Sequence, residues 1–144
     1  MTLLSRFAAL ALWAGAFVAC ANQPVSFTND IAPILVQKCL TCHGAEKNKG
    51  GFRLDTYDSL LKPGSSKEPS ISPAKPDASK VFQLITTTDE DDRMPQKNEP
   101  LPAADIALIR RWIVEGAAFD GPDLKSSLVT IIPACDMRNA PCRV

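Results

Sequence analysis

The sequence predicts a small all-α fold. Two observations carry that prediction: apolar residues recur at helical spacing in several separate stretches, and no βαβ pattern surrounds the one motif with chemistry in it. That motif is Cys39-Leu40-Thr41-Cys42-His43, a C-x-x-C-H run holding the only histidine among 144 residues. It is the attachment signature of c-type haem. Positions i, i+3 and i+4 of a helical turn share one face, so two thiols reach the two haem vinyl groups while the adjacent imidazole reaches the iron. One run predicts one covalently bound haem c, with thioethers at Cys39 and Cys42 and His43 as proximal ligand. Two other readings of the pair stand beside this one: a redox dithiol, and half of a zinc site completed by Cys135 and Cys142. The first expects a βαβ setting, and the second needs ligands from a distant tail that looks like a separate staple.

Each element follows from local pattern. Phe27-Thr28-Asn29-Asp30 opens the first helix, with Asn29 or Asp30 as N-cap, and Ile31, Ile34 and Leu35 fall on one face. Pro33 sits in the first turn, where its missing N–H does no harm. This helix delivers the C-x-x-C-H run, and Gly44 turns the backbone after it. Lys49 to Leu54 is a glycine-containing loop whose Phe52 and Leu54 pack in the core or on the haem face. Asp55 caps a short helix through Leu61, which Pro63-Gly64 ends. Residues 62–77 are rich in proline, serine and lysine and predict an irregular loop, wrapped round a cofactor or merely solvated. Ser79 to Ile85 is a third helix with Asp77 as cap. Asp89 to Asp92 is an acidic run, a solvated face or a docking site for a basic partner. Pro102 to Glu115 is the clearest helix: Ile106, Ile109 and Ile113 form a stripe with Leu108 and Trp112 beside it, and Gly116 stops it. That stripe is expected to seal against the first helix. Leu128 to Ile132 is β-prone.

Residues 1–20 are expected to be an export signal, with Arg6 as the basic residue and an apolar run from Phe7 to Ala19. That run is shorter than the roughly 20 residues a bilayer-spanning helix needs. Export places the chain in the periplasm, an oxidising compartment compatible with a Cys135–Cys142 disulfide. Five cysteines leave Cys20 over. Phe17-Val18-Ala19-Cys20 resembles a lipobox, in which Cys20 is lipidated and anchors the protein to a membrane; Ala19-Cys20-Ala21 also fits ordinary signal cleavage. The odd cysteine favours the anchor. Sixteen basic and sixteen acidic residues balance, which removes the electrostatic case for nucleic acid as a partner.

His43 fills one axial position of the iron, and no second histidine exists for the other. A methionine thioether is the expected distal ligand, and the choice lies between Met94 and Met137. Met94 is favoured, because it sits in a proline-flanked, polar loop between two helices.

These residues resemble the planctomycete-type cytochrome c domain, a branch of the class I-like c cytochromes. The resemblance runs from Phe27 to Ala117. It rests on Phe27, Asp30-Ile31 and Pro33-Ile34-Leu35 before Cys39, Cys42-His43-Gly44; on Lys49-Gly50-Gly51-Phe52-Arg53-Leu54-Asp55-Thr56-Tyr57; on Pro76-Asp77 and Ser79; and on Arg93-Met94-Pro95 followed by Arg111-Trp112-Ile113 and Gly116-Ala117. It implies a cytochrome c-like helical fold wrapped round one haem c, with distal Met94. Gln96 stands where the family usually has a second proline, and Ala74-Lys75-Pro76 replaces a Pro-Gly. The domain is expected over 25–119, with 120–144 an irregular C-terminal tail. The function expected is single-electron carriage between periplasmic or membrane redox proteins, a donor and an acceptor, rather than enzymatic catalysis. The alternatives are a haem enzyme or a gas or peroxide sensor with a labile distal ligand, and a haem-free zinc or dithiol module.

Overall fold

The computed structural model describes residues 23–96 and 98–133. Five α-helices follow in order: α1 (Ala32–Lys38), α2 (Tyr57–Leu60), α3 (Lys80–Thr86), α4 (Ala103–Val114) and α5 (Leu128–Ile131). A π-helical turn at Phe27–Ile31 precedes α1, and 3₁₀ turns occupy Lys49–Gly51 and Pro76–Ala78. Among the described residues no strand forms; two isolated bridges, His43 with Asn48 and Thr56 with Ser127, are the only β pairing. The fold is thus the small all-α, cytochrome c-like fold expected. No helix among the described residues is long and apolar enough to cross a membrane.

α4 is the spine. Ile109, Trp112 and Ile113 are buried along one stripe, and they pack on the Phe27–Ile31 turn, on α3 and on Pro76–Ala78. The expected seal with the first helix is therefore made by the turn that opens it, while α1 itself packs on α5. Phe27 lies at the centre of an aromatic cluster, its ring centroid 4.9 Å from Tyr57 and 5.5 Å from Trp112. Tyr57 donates its buried hydroxyl to the Ala117 carbonyl and Trp112 Nε1 donates to the Ala118 carbonyl, so both polar atoms in that cluster are satisfied. Gly116, at φ +101°, ends α4 as expected.

Three caps and one element differ from expectation. Ser26, not Asn29 or Asp30, caps the first helical segment: its Oγ accepts from Asn29 N–H, while the Asp30 carboxylate accepts from Ser26 N–H. These reciprocal bonds are a capping box shifted one residue. Thr56 caps α2, accepting from Ser59 N–H; Asp55 is drawn away by its ion pair with Arg53 at 2.8 Å. Ser79 takes the position before α3, and Asp77 contributes only a carbonyl, to Gln83 Nε2. The β-prone run from Leu128 is instead one helical turn, α5. Leu128 is fully buried and its N–H donates to the Asp55 carbonyl, so docking on α1 overrides a weak local preference.

Candidate functional site

The site begins where α1 ends. Cys39 and Leu40 N–H both donate to the Leu35 carbonyl, at 2.9 and 3.0 Å, and Cys42 and His43 N–H both donate to the Cys39 carbonyl at 3.1 Å. Cys39, Cys42 and His43 are therefore gathered on one helix-like turn just past α1, and Gly44 closes it. A Cβ at Gly44 would lie 2.9 Å from the Leu40 carbonyl oxygen, so this position excludes any larger residue. The chain then folds back on itself: Lys49 N–H reaches the Cys42 carbonyl and Leu54 N–H reaches the His43 carbonyl, at 3.0 and 2.9 Å.

Against this turn opens a cavity of about 600 Å³, within the usual range for small-molecule and cofactor sites. Cys39, Cys42, His43 and Met94 all line it. Leu35, Phe52 and Leu54 supply one apolar wall, and Val81, Leu84 and Ile85 of α3 supply another. The proline- and serine-rich segment is not merely solvated: Gly64, Ser65, Ser66, Glu68 and Ser70 form part of the wall. An ion pair between Lys80 and Glu68 at 2.7 Å ties this strap to α3.

Met94 is partly buried against the core, and its N–H donates to the Leu84 carbonyl at 2.9 Å. The acidic residues that precede it, Asp89 to Asp92, are exposed. Their turn is closed locally: Arg93 N–H donates to the Asp89 carbonyl and Gln96 Nε2 to the Asp91 carbonyl, at 2.9 and 3.0 Å.

The electrostatics of the two ends differ. Burial, helped by the nearby Cys42, pushes the Cys39 thiol up to about 12. That is the reverse of the depressed value that activates a redox dithiol. The Nδ1 of His43 is buried with no hydrogen-bond partner among the described residues, and its ring is in edge contact with Phe52. No three His, Cys, Asp or Glu side chains converge as a metal-holding group among the described residues, so Cys39, Cys42 and His43 line a shared cavity without pointing at a single ion. Two soft thiols, one imidazole and one thioether round an apolar cavity are a donor set that fits haem c.

Sequence reasoning did not foresee the edge contact of Phe52 with His43, the anchoring of Met94 by Leu84, or the Gln96 bond that closes the acidic turn. The Gly50-Gly51-Phe52 sequence was the one available signal for the first. Cys20, Met137, Cys135, Cys142 and the expected export signal lie outside the described residues.

Fold and cavity together define the class, a small cytochrome c-like helical domain. Residues 39–98 match the family described as planctomycete cytochrome C; the match supports a planctomycete-type cytochrome c domain there, a family that implies covalently bound haem c. Among solved structures, Kuenenia stuttgartiensis hydrazine synthase is similar over 72% of this chain at 24% identity, with a TM-score of 0.43. The chain spans 18% of that protein's length. No curated protein matches at a significant level.

Proposed function

We propose that this protein is a monohaem c-type cytochrome that passes single electrons between two redox proteins. The observation that carries the reading is that Met94 and the C-x-x-C-H residues, about fifty positions apart in sequence, line one cavity. Cys39 and Cys42 would hold the group as thioethers, with His43 as proximal and Met94 as distal ligand. When bound, haem c supplies the one-electron iron couple. The chain's own part would be to hold the group with His43 and Met94 and to keep water away with Leu35, Leu54, Val81 and Ile85. A histidine and methionine pair raises the potential relative to stronger donors. The high value of the Cys39 thiol supports this reading over a dithiol module.

The reading extends to location: an exported protein held at a membrane by lipid on Cys20, with donor and acceptor on the periplasmic side. Membrane association that Cys20→Ser abolishes supports the anchor; unchanged association removes it.

The test of the central claim is the absorption spectrum of matured protein, oxidised and reduced, for wild type and Met94→Ala. A low-spin haem c spectrum with the methionine-to-iron band at the near-infrared edge, lost in the variant, is expected. A high-spin wild type that binds carbon monoxide rapidly at neutral pH would overturn electron carriage in favour of catalysis or sensing.

A further inference from the structure

A ligating histidine ordinarily donates its second ring N–H to a carbonyl or carboxylate, which fixes the ring's orientation and raises its basicity. Among the described residues His43 has no such acceptor: Nδ1 is buried and unpartnered. The ring meets Phe52 instead, edge to face, with centroids 5.3 Å apart and planes at 62°. We propose that Phe52 is the positioning residue of the proximal imidazole, setting its rotation about the bond to iron in place of the missing hydrogen bond. The inference rests on His43 being the iron ligand.

The surroundings show how Phe52 is kept there. Leu54 N–H donates to His43's own carbonyl at 2.9 Å, which locks the register of the 43–54 loop. Gly50 and Gly51 take φ of +63° and +65°, the left-handed region that glycine adopts without cost. The strap then closes from outside: Ser65 N–H donates to the Gly50 carbonyl at 2.8 Å. A Cβ on Gly64 would lie 3.1 Å from the Cβ of Phe52 and 2.8 Å from the Gly50 oxygen. Glycine at 64 therefore lets the strap lie directly on the residue that meets the imidazole. An imidazole without an acceptor at Nδ1 is a weaker donor to iron, so the same geometry sets the potential above that of a hydrogen-bonded counterpart.

The experiment uses matured, haem-loaded protein and three variants: Phe52→Leu, which keeps bulk and removes the ring; Phe52→Tyr, which keeps the ring; and Gly64→Ala, which presses on Phe52 from the strap. The readout is the pattern of paramagnetically shifted haem methyl resonances in the oxidised state, which follows the orientation of the axial ligand planes, beside the melting temperature. Phe52→Leu is expected to redistribute the methyl shifts, Phe52→Tyr to retain the wild-type pattern, and Gly64→Ala to move it in a smaller degree. Gly64→Ala carries the test alone should Phe52→Leu fail to fold. A lowered melting temperature with an unchanged methyl pattern in both Phe52→Leu and Gly64→Ala reduces Phe52 to packing and overturns the inference, while leaving His43 as ligand. A His43→Ala protein that keeps the wild-type low-spin spectrum instead overturns the ligand assignment itself.

Discussion

The two sides of the cavity are built differently. The segment from Cys39 to Leu54 is laced by backbone bonds within itself and to the end of α1: Cys39 to Leu35, Cys42 and His43 to Cys39, Lys49 to Cys42, Leu54 to His43. Among the described residues the turn carrying Met94 makes one backbone bond to α3, from Met94 N–H to Leu84, and otherwise closes on its own segment between Thr87 and Gln96. Local opening follows the density of such contacts. The side that bears the attachment motif is therefore rigid, and the side that bears the methionine is the one positioned to loosen first.

The largest predicted effect separates the sides outright. His43→Ala removes the residue the attachment motif needs, and near-complete loss of covalently bound haem is expected on a haem-stained denaturing gel after expression with a maturation system. Met94→Ala should keep its full haem content. Its potential should fall by on the order of 0.1 V, a modest part of the span of about 0.8 V that axial ligation commands. Equal haem loss in both variants would break the contrast between the two sides.

A smaller effect isolates the looseness of the methionine turn. Gln96→Leu removes the Nε2 donor to the Asp91 carbonyl while keeping the size of the side chain. An exposed hydrogen bond of this kind is worth about 0.6 kcal/mol, so a roughly threefold rise in affinity for added imidazole is expected as Met94 is displaced more readily. Unchanged imidazole affinity would mean that the backbone bonds from Met94 to Leu84 and from Arg93 to Asp89 hold the turn without it.

The same contrast governs what could be seen in the sequence. C-x-x-C-H and the Met-Pro loop, which the fold brings to one cavity, are short-range patterns and were visible, as was the buried stripe of α4 that Gly116 ends. Caps were missed where equally good residues compete: Ser26 prevails because Asp30 returns a bond to its N–H, and Thr56 because Arg53 engages Asp55. α5 was hidden because its β-branched residues are mostly outward-facing, Val129 being 57% exposed, while buried Leu128 decides its docking. The contact between Phe52 and His43 depends on two glycines at positive φ, which the Gly50-Gly51-Phe52 sequence signals, and on a strap folded over them, a tertiary arrangement that this local pattern alone does not encode.

The smallest effect lies far from both sides and serves as their control. Glu115, just past α4, accepts from Val25 N–H at 2.7 Å and from Arg111 Nε at 2.6 Å, and Arg111 also donates to the Gln23 carbonyl. The Val25 bond first, and Arg111 second, hold its carboxyl below the ordinary glutamate value. A carboxylate lowered on folding contributes stability above its unfolded value of roughly 4.3, and that contribution is lost as pH falls through the lower folded value. Glu115→Gln should therefore lower the melting temperature by about 2 °C at neutral pH, an exposed pair being weak. The difference should shrink as the pH falls past the unfolded value and close only below the lower folded one, where wild type is protonated too. Melting curves across that range measure it, with the haem spectrum unchanged throughout. A difference constant with pH would show that the carboxylate's charge contributes nothing. A spectrum that moved with it would show that the α4 end is coupled to the iron ligands, and the two sides of the cavity could then no longer be treated as independent of the rest of the fold.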